Sequence, residues 1–168
     1  MAGMLTQLLD VMNQQVERHI ELHGLSLEEK DAIIQNDIDT LQKLVSLKNI
    51  VISQNNRLEK QRMSLVNDIA EVLGLKEKDM PLSQLISVME GKPEQADIID
   101  VGNRLKEAME KLKIANDDNR ELLQGAIDFV EYSLNALRST IEPEPVEIPT
   151  IKKPAGTSDG ASSFNATR

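Results

Sequence analysis

The chain has 168 residues, with 28 Asp and Glu against 19 Lys and Arg and a formal net charge of -9; such a surface repels phosphate backbones and anionic headgroups, which argues against nucleic acid or a lipid surface as the primary ligand. Aromatic residues make up 2% of the chain and cysteine is absent, which excludes disulfides and thiol chemistry and points to long helices packed along narrow aliphatic seams. The opening residues lack a basic segment followed by a continuous apolar stretch, and no run approaches the ~18 consecutive apolar residues of a membrane span, so neither a signal peptide nor membrane insertion is expected and the protein is placed in the cytoplasm.

Leu5, Leu8, Leu9, Met12, Val16 and Ile20 recur at three- and four-residue spacing, one apolar face of a first helix over about 3–35. Gly24 interrupts this face, and Ser26 with Glu29 has the spacing of a capping box. Because Leu27, Ile33 and Ile34 resume the stripe, a continuous helix that tolerates Gly24 at ~1 kcal/mol is the favoured reading. Asn36 or Asp37 marks a break and a new N-cap. A second helix, 37–73, carries Ile38, Leu41, Leu44, Val45, Val51, Ile52, Leu58, Leu65, Ile69, Val72 and Leu73 and ends at Gly74. A connector follows, with a short helix at 81–90 opened by Pro81 and closed by Gly91 and Pro93. The third long stripe runs through Ile98, Val101, Leu105, Met109, Leu112, Leu122, Leu123, Ala126, Ile127, Val130, Leu134 and Leu137, predicting a helix over 94–140 that is roughly 70 Å long.

A helix of that length cannot bury its stripe alone. The expected fold is all-α: an elongated antiparallel bundle of three long helices with coiled-coil-like packing and a short connector helix, spanning 1–140. From 141 to 168 the prolines, glycines and serines predict a disordered, flexible tail.

No arrangement for catalysis emerges, so no enzyme activity and no cofactor are expected. His19 and His23 share a helix face four residues apart, but no motif supplies a third ligand, so a metal site is not expected and both histidines read as partly exposed bundle residues. More informative are polar residues that fall on apolar stripes. Arg62 lies between Leu58 and Leu65, and Asn116 and Asn119 between Leu112 and Leu122. They are read as a polar layer, with Arg62 reaching a carboxylate or the asparagine carbonyls and setting helix register; the functional alternative is that they line a place where a partner helix inserts. Near the end of the third stripe, Ile127, Val130, Leu134, Leu137 and Ile141 fall on one side while Phe129, Tyr132 and Ala136 lie off it. This second apolar face is the candidate binding surface, with Ile127, Phe129, Val130, Leu134, Leu137 and Ile141 as its residues. Cover by the tail, by the connector helix or by a second copy in a homodimer is the structural alternative.

Two segments carry a family resemblance. One is Leu58-Glu59-Lys60-Gln61-Arg62; the other is Asn116-Asp117-Asp118-Asn119-Arg120-Glu121-Leu122-Leu123-Gln124-Gly125-Ala126-Ile127. With the Leu-rich start and the three-helix layout, they resemble the FlgN family of bacterial flagellar export chaperones over roughly residues 4–140. The resemblance implies a protein that binds hook–filament junction proteins in the cytoplasm, keeps their terminal helices from self-associating and delivers them to the type III export apparatus. It places the client site at about 119–150. Several members carry a Tyr shortly before a Gly past the last helix, implicated in docking to the export gate. Here Pro149-Thr150-Ile151-Lys152-Lys153 stands in the comparable region without a Tyr, leaving Ile151 as a smaller apolar anchor. The competing readings are a coiled-coil adaptor or scaffold without a secreted client and, third, a metal-dependent helical enzyme. Paired Glu-x-x-His motifs on separate helices would support the third, and none occurs.

Overall fold

The computed structural model describes residues 2–75, 81–92 and 94–141. These residues form four helices and no strand: α1 (Ala2–Gln35), α2 (Ile38–Val72), α3 (Leu82–Val88) and α4 (Glu94–Ile141). They fall into two units, Met1–Val130 and Glu131–Arg168. The expected tail lies outside the described residues, apart from Ile141 at the end of α4, and so does Ile151.

Local chemistry accounts for the breaks. Helix α1 runs unbroken through Gly24, so Ser26 and Glu29 do not cap a new helix. The chain reverses at Asn36, whose φ of 55 is a left-handed conformation that asparagine tolerates better than most residues. Asp37 then caps α2. Its carboxylate accepts from the Thr40 amide at 3.0 Å and the Thr40 hydroxyl at 2.7 Å, and these bonds hold the carboxyl below its ordinary range. Gly74, at φ 73, ends α2. The Leu75 amide reaches back to the Ala70 carbonyl and the Gly74 amide to that of Glu71, satisfying carbonyls the helix would otherwise leave open.

Cross-helix hydrogen bonds give the chain directions. Gln15 meets Glu59, Arg18 meets Gln54, and Glu29 meets Lys48, so α1 and α2 are antiparallel. Asn13 meets Arg104, Ser26 meets Asn116, and Lys30 meets Asp118, so α1 and α4 run the same way. The α1–α4 pairs are separated by 88 to 91 residues in sequence, which brings Gln35 level with roughly residue 125 of α4 at equal rise per residue.

The apolar core is concentrated where α1 begins, α2 ends and α4 begins. Leu8, Met12, Ile69, Leu85, Met89 and Ile98 are almost completely buried there, with Val66 and Val101 beside them. Each such side chain contributes about 1.5–3 kcal/mol relative to exposure. Away from this end the seam thins. On α4 the inward positions step by three and four through Ile98, Val101, Leu105, Ala108, Leu112, Ala115 and Asn119, with Leu105 and Leu112 half-buried. On α1 they run through Leu8, Met12, Gln15, His19, Leu22, Ser26 and Glu29.

This corrects the sequence-derived stripes on all three long helices, and on α2 it leaves Ile38, Val45, Ile52 and Val72 exposed. Met109 is 51% exposed while its neighbour Ala108 is buried, and Ile20, Leu27 and Ile34 face outward while Gln15, His19, Ser26 and Glu29 face inward. The dense cluster at the α3 end sets the rotation of each helix about its axis. The 3–4 spacing then carries that choice along the seam, so polar residues turn inward where they find partners.

Candidate functional site

Two polar clusters interrupt the seam of the first unit. In the one farther from α3, the Lys48 ammonium lies 2.6 Å from the Glu29 carboxylate, and both side chains are largely buried. The Asn119 amide donates to the same carboxylate at 3.0 Å and to the Ser26 carbonyl at 2.8 Å. The Ser26 hydroxyl donates to the Asn116 side-chain carbonyl at 2.9 Å, and Lys48 donates to that oxygen at 3.2 Å. Because the Asn119 nitrogen faces two acceptors, the orientation of its amide is fixed. Its Oδ1 is buried and makes no hydrogen bond. Three helices are thus tied at one level by directional bonds, which lock register where Ala108 and Ala115 supply little apolar area.

The second cluster lies nearer the apolar core. Arg62 donates to Glu59 through Nε at 2.9 Å and Nη2 at 2.6 Å, and Gln15 donates to Glu59 across the α1–α2 interface at 2.8 Å. The bidentate bond from Arg62 overrides partial burial and holds the Glu59 carboxyl down at about 2, while it raises Arg62 further. His19 is buried, not partly exposed as its sequence setting suggests. Its Nδ1 lies 2.8 Å from the Gln15 carbonyl. A carbonyl only accepts, so Nδ1 carries the hydrogen.

The polar residues singled out from sequence are therefore divided between two levels. Asn116 and Asn119 come together with Ser26, Glu29 and Lys48, whereas Arg62 reaches a carboxylate of its own helix and does not meet them. Ser26, Glu29 and Lys48 are the members that sequence reading missed. The signal was present: the 3–4 spacing from Met12 through Gln15, His19 and Leu22 arrives at Ser26 and Glu29.

The candidate binding residues are all on α4 and all exposed: Ile127, Phe129 and Val130 in the first unit, Leu134, Leu137 and Ile141 in the second. Leu123, Ile127, Val130, Leu134, Leu137 and Ile141 are spaced 4, 3, 4, 3 and 4 apart, as a helix-pairing seam requires. This seam is offset from the inward one. The step from Ala115 to Asn119 is four residues, and those to Leu123 and Ile127 are four again. Such an insertion in a 3–4 repeat shifts the apolar stripe around the helix.

A family model described as FlgN protein matches residues 1–146, which takes in all four helices. The chain belongs to the FlgN family. Membership supports the general role of a flagellar export chaperone, in keeping with the all-helical bundle and the exposed apolar seam. No curated protein and no solved structure matches the chain significantly. Among the described residues of this FlgN protein, no three His, Cys, Asp or Glu side chains are grouped as a metal site, and no helix is long and apolar enough to cross a membrane.

Proposed function

We infer that the chain is a cytoplasmic chaperone that binds flagellar hook–filament junction proteins and delivers them to the type III export apparatus. The observation that carries this reading is the exposed seam from Ile127 to Ile141 at the end of α4 in a member of the FlgN family. Five large apolar residues at helix-pairing spacing, with Phe129 beside them, fit an amphipathic helix of a client, and covering such a helix would prevent clients from associating with one another. In this reading Ile127, Phe129, Val130, Leu134, Leu137 and Ile141 contact the client, and the segment around Ile151 docks at the export gate. The polar cluster of Asn116 and Asn119 acts indirectly, by keeping α4 in register.

The test is titration calorimetry of the purified chain with a junction protein from the same organism. The wild type is compared with a variant carrying Leu134→Asp and Leu137→Asp. Both side chains are exposed, so the variant keeps its helicity by circular dichroism while affinity falls at least tenfold. Unchanged affinity would remove this seam from the site. Failure of the wild type to bind any junction protein, together with formation of a stable assembly by the chain alone, would favour the adaptor or scaffold reading. The same seam could then pair with its copy in a homodimer.

A further inference from the structure

A second surface in the first unit has the form of an interrupted helix-binding groove. Helix α3 packs against α2 and α4 at the core end, where Leu85 is fully buried and the Ile86 carbonyl accepts from Gln95 of α4. A Cβ added at Gly102 of α4 would stand 3.5 Å from Leu82 of α3, and Pro81 and Leu82 border a hollow with Glu59, Arg62 and Val66 of α2. Helix α3 is only seven residues long and runs opposite to α4, with Ile86 beside Gln95 and its first residue, Leu82, beside Gly102. Beyond it the same side of α4 continues, in seven-residue steps from Gly102, through Met109, Asn116 and Leu123. Seven-residue steps stay on one side of a helix that keeps 3–4 packing with its neighbours.

Along this stretch lie two adjoining hollows that share Asn116 and Arg120. One is bordered by His19, Met109 and Lys113 and has about 300 Å³ of space. The other is bordered by Glu29, Lys48, Leu123 and Ile127 and has about 380 Å³. On α2, Val45 and Ile52 stand three residues before and four residues after Lys48, on its side of the helix, and both are more than two-fifths exposed. The result is a trough with the Glu29–Lys48 pair at its base and Met109, Leu123 and Ile127 along α4, while Val45 and Ile52 stand exposed beside Lys48 on α2. Its α4 rim is basic: Lys106, Lys113 and Arg120 recur every seven residues. Among the described residues, Lys106 and Lys113 make no ion pair, and Arg120 has only Asp117 of its own helix at 4.0 Å. In a chain of net charge -9, a row of three cations beside an apolar trough is a directional electrostatic feature.

We propose that this trough takes an amphipathic helix of an export client, laid in line with α3 and carrying carboxylates along the flank that meets Lys106, Lys113 and Arg120. The source of that helix rests on the chaperone reading above; the chemistry of the groove does not. The open stretch from Met109 to Ile127 is about 27 Å long, enough for roughly five helical turns. Helix α3 already shows that a helix of this chain fits the preceding part of the path. The apolar ridge of the guest lies against Val45, Ile52, Met109 and Leu123, and its acidic flank sets orientation and excludes basic helices.

The probes are two synthetic helical peptides of about five turns, identical at apolar 3–4 positions, one with Glu and the other with Lys along the flank. Binding to the full chain is read by fluorescence anisotropy at low salt. The Glu peptide binds at least tenfold tighter than the Lys peptide; a Lys113→Glu, Arg120→Glu variant reverses the preference; and a Val45→Asp, Ile52→Asp variant binds neither while keeping its helicity. Equal affinity for the two peptides, a preference that does not reverse, or binding untouched by the Val45 and Ile52 changes overturns the proposal. So does a concentration-dependent dimer that the Val45 and Ile52 changes abolish, because a second copy would then be the occupant. The variants are also titrated with the junction protein. If the wild type and both groove variants bind it equally, the groove inference fails and the chaperone reading stands. If the wild type does not bind it while the peptide preference still reverses, the chaperone reading fails and the assignment of the groove to an export client falls with it.

Discussion

Lys48→Met is the sharpest test of how the half of the bundle remote from α3 is held together. The change keeps the aliphatic stem and removes the ammonium that lies 2.6 Å from Glu29. The two side chains are 15% and 11% exposed, so little solvent replaces the lost charge. Breaking a buried pair from one side costs about 3–5 kcal/mol, against about 0–1 for an exposed pair. Glu29 keeps one charge-assisted bond, from Asn119 at 3.0 Å, which places the expected loss near the lower end, at about 3 kcal/mol. For a domain with about 5–15 kcal/mol of total stability this is a large fraction. The double change Lys48→Met with Glu29→Leu removes both charges and leaves Asn119 its bond to the Ser26 carbonyl and Ser26 its bond to Asn116, so it recovers most of the loss and gives a coupling energy of about 2 kcal/mol or more. The assay is urea unfolding followed by circular dichroism for all four proteins of the cycle. With a slope of about 1–3 kcal/mol per molar, the single change moves the midpoint by about 1–3 M. A loss below about 1 kcal/mol for Lys48→Met with no measurable coupling would refute the idea that this pair is a buried tie.

Gly24→Ala should stabilise the chain by about 0.5–1 kcal/mol in the same assay, because the residue sits mid-helix and an added Cβ meets nothing within 4 Å; destabilisation would mean that α1 does break there. Leu85→Ala empties a completely buried site between α3 and the rest of the core and should cost about 2–5 kcal/mol in thermal or urea unfolding. The Glu59 carboxyl, held at about 2 against 4.5 when unfolded, favours the carboxylate in the folded state. The stability it contributes is complete above the unfolded value and is lost as pH falls through the window toward about 2. With a side chain 41% exposed, screening limits that contribution to about 1 kcal/mol or less. Glu59→Gln should therefore flatten the acid limb of stability between those values, and urea midpoints measured above and below the window check it.

The positions of the breaks were legible in the amino-acid sequence because each rests on local chemistry. Asp37 caps through Thr40, three residues away, Gly74 takes the left-handed conformation, and Pro81 stands just before α3. The exposed seam at the end of α4 was also legible, since 3–4 spacing over six large apolar residues is a property of one helix.

The rotation of each helix within the bundle was not. Both Ala108 and Met109, or Ser26 and Leu27, satisfy a loose apolar period when the helix is read alone. The choice between such neighbours follows from the cluster around Leu85 and Ile98, which brings together residues more than ninety positions apart. It also follows from whether Ser26, Glu29, Lys48 and Asn119 can satisfy one another once they are inside. A polar side chain is costly in a core unless its partner arrives from another helix. That partner is invisible to any window of sequence, so the helices and their ends were written in the chain, while the polar layers and the groove beside them were decided by packing.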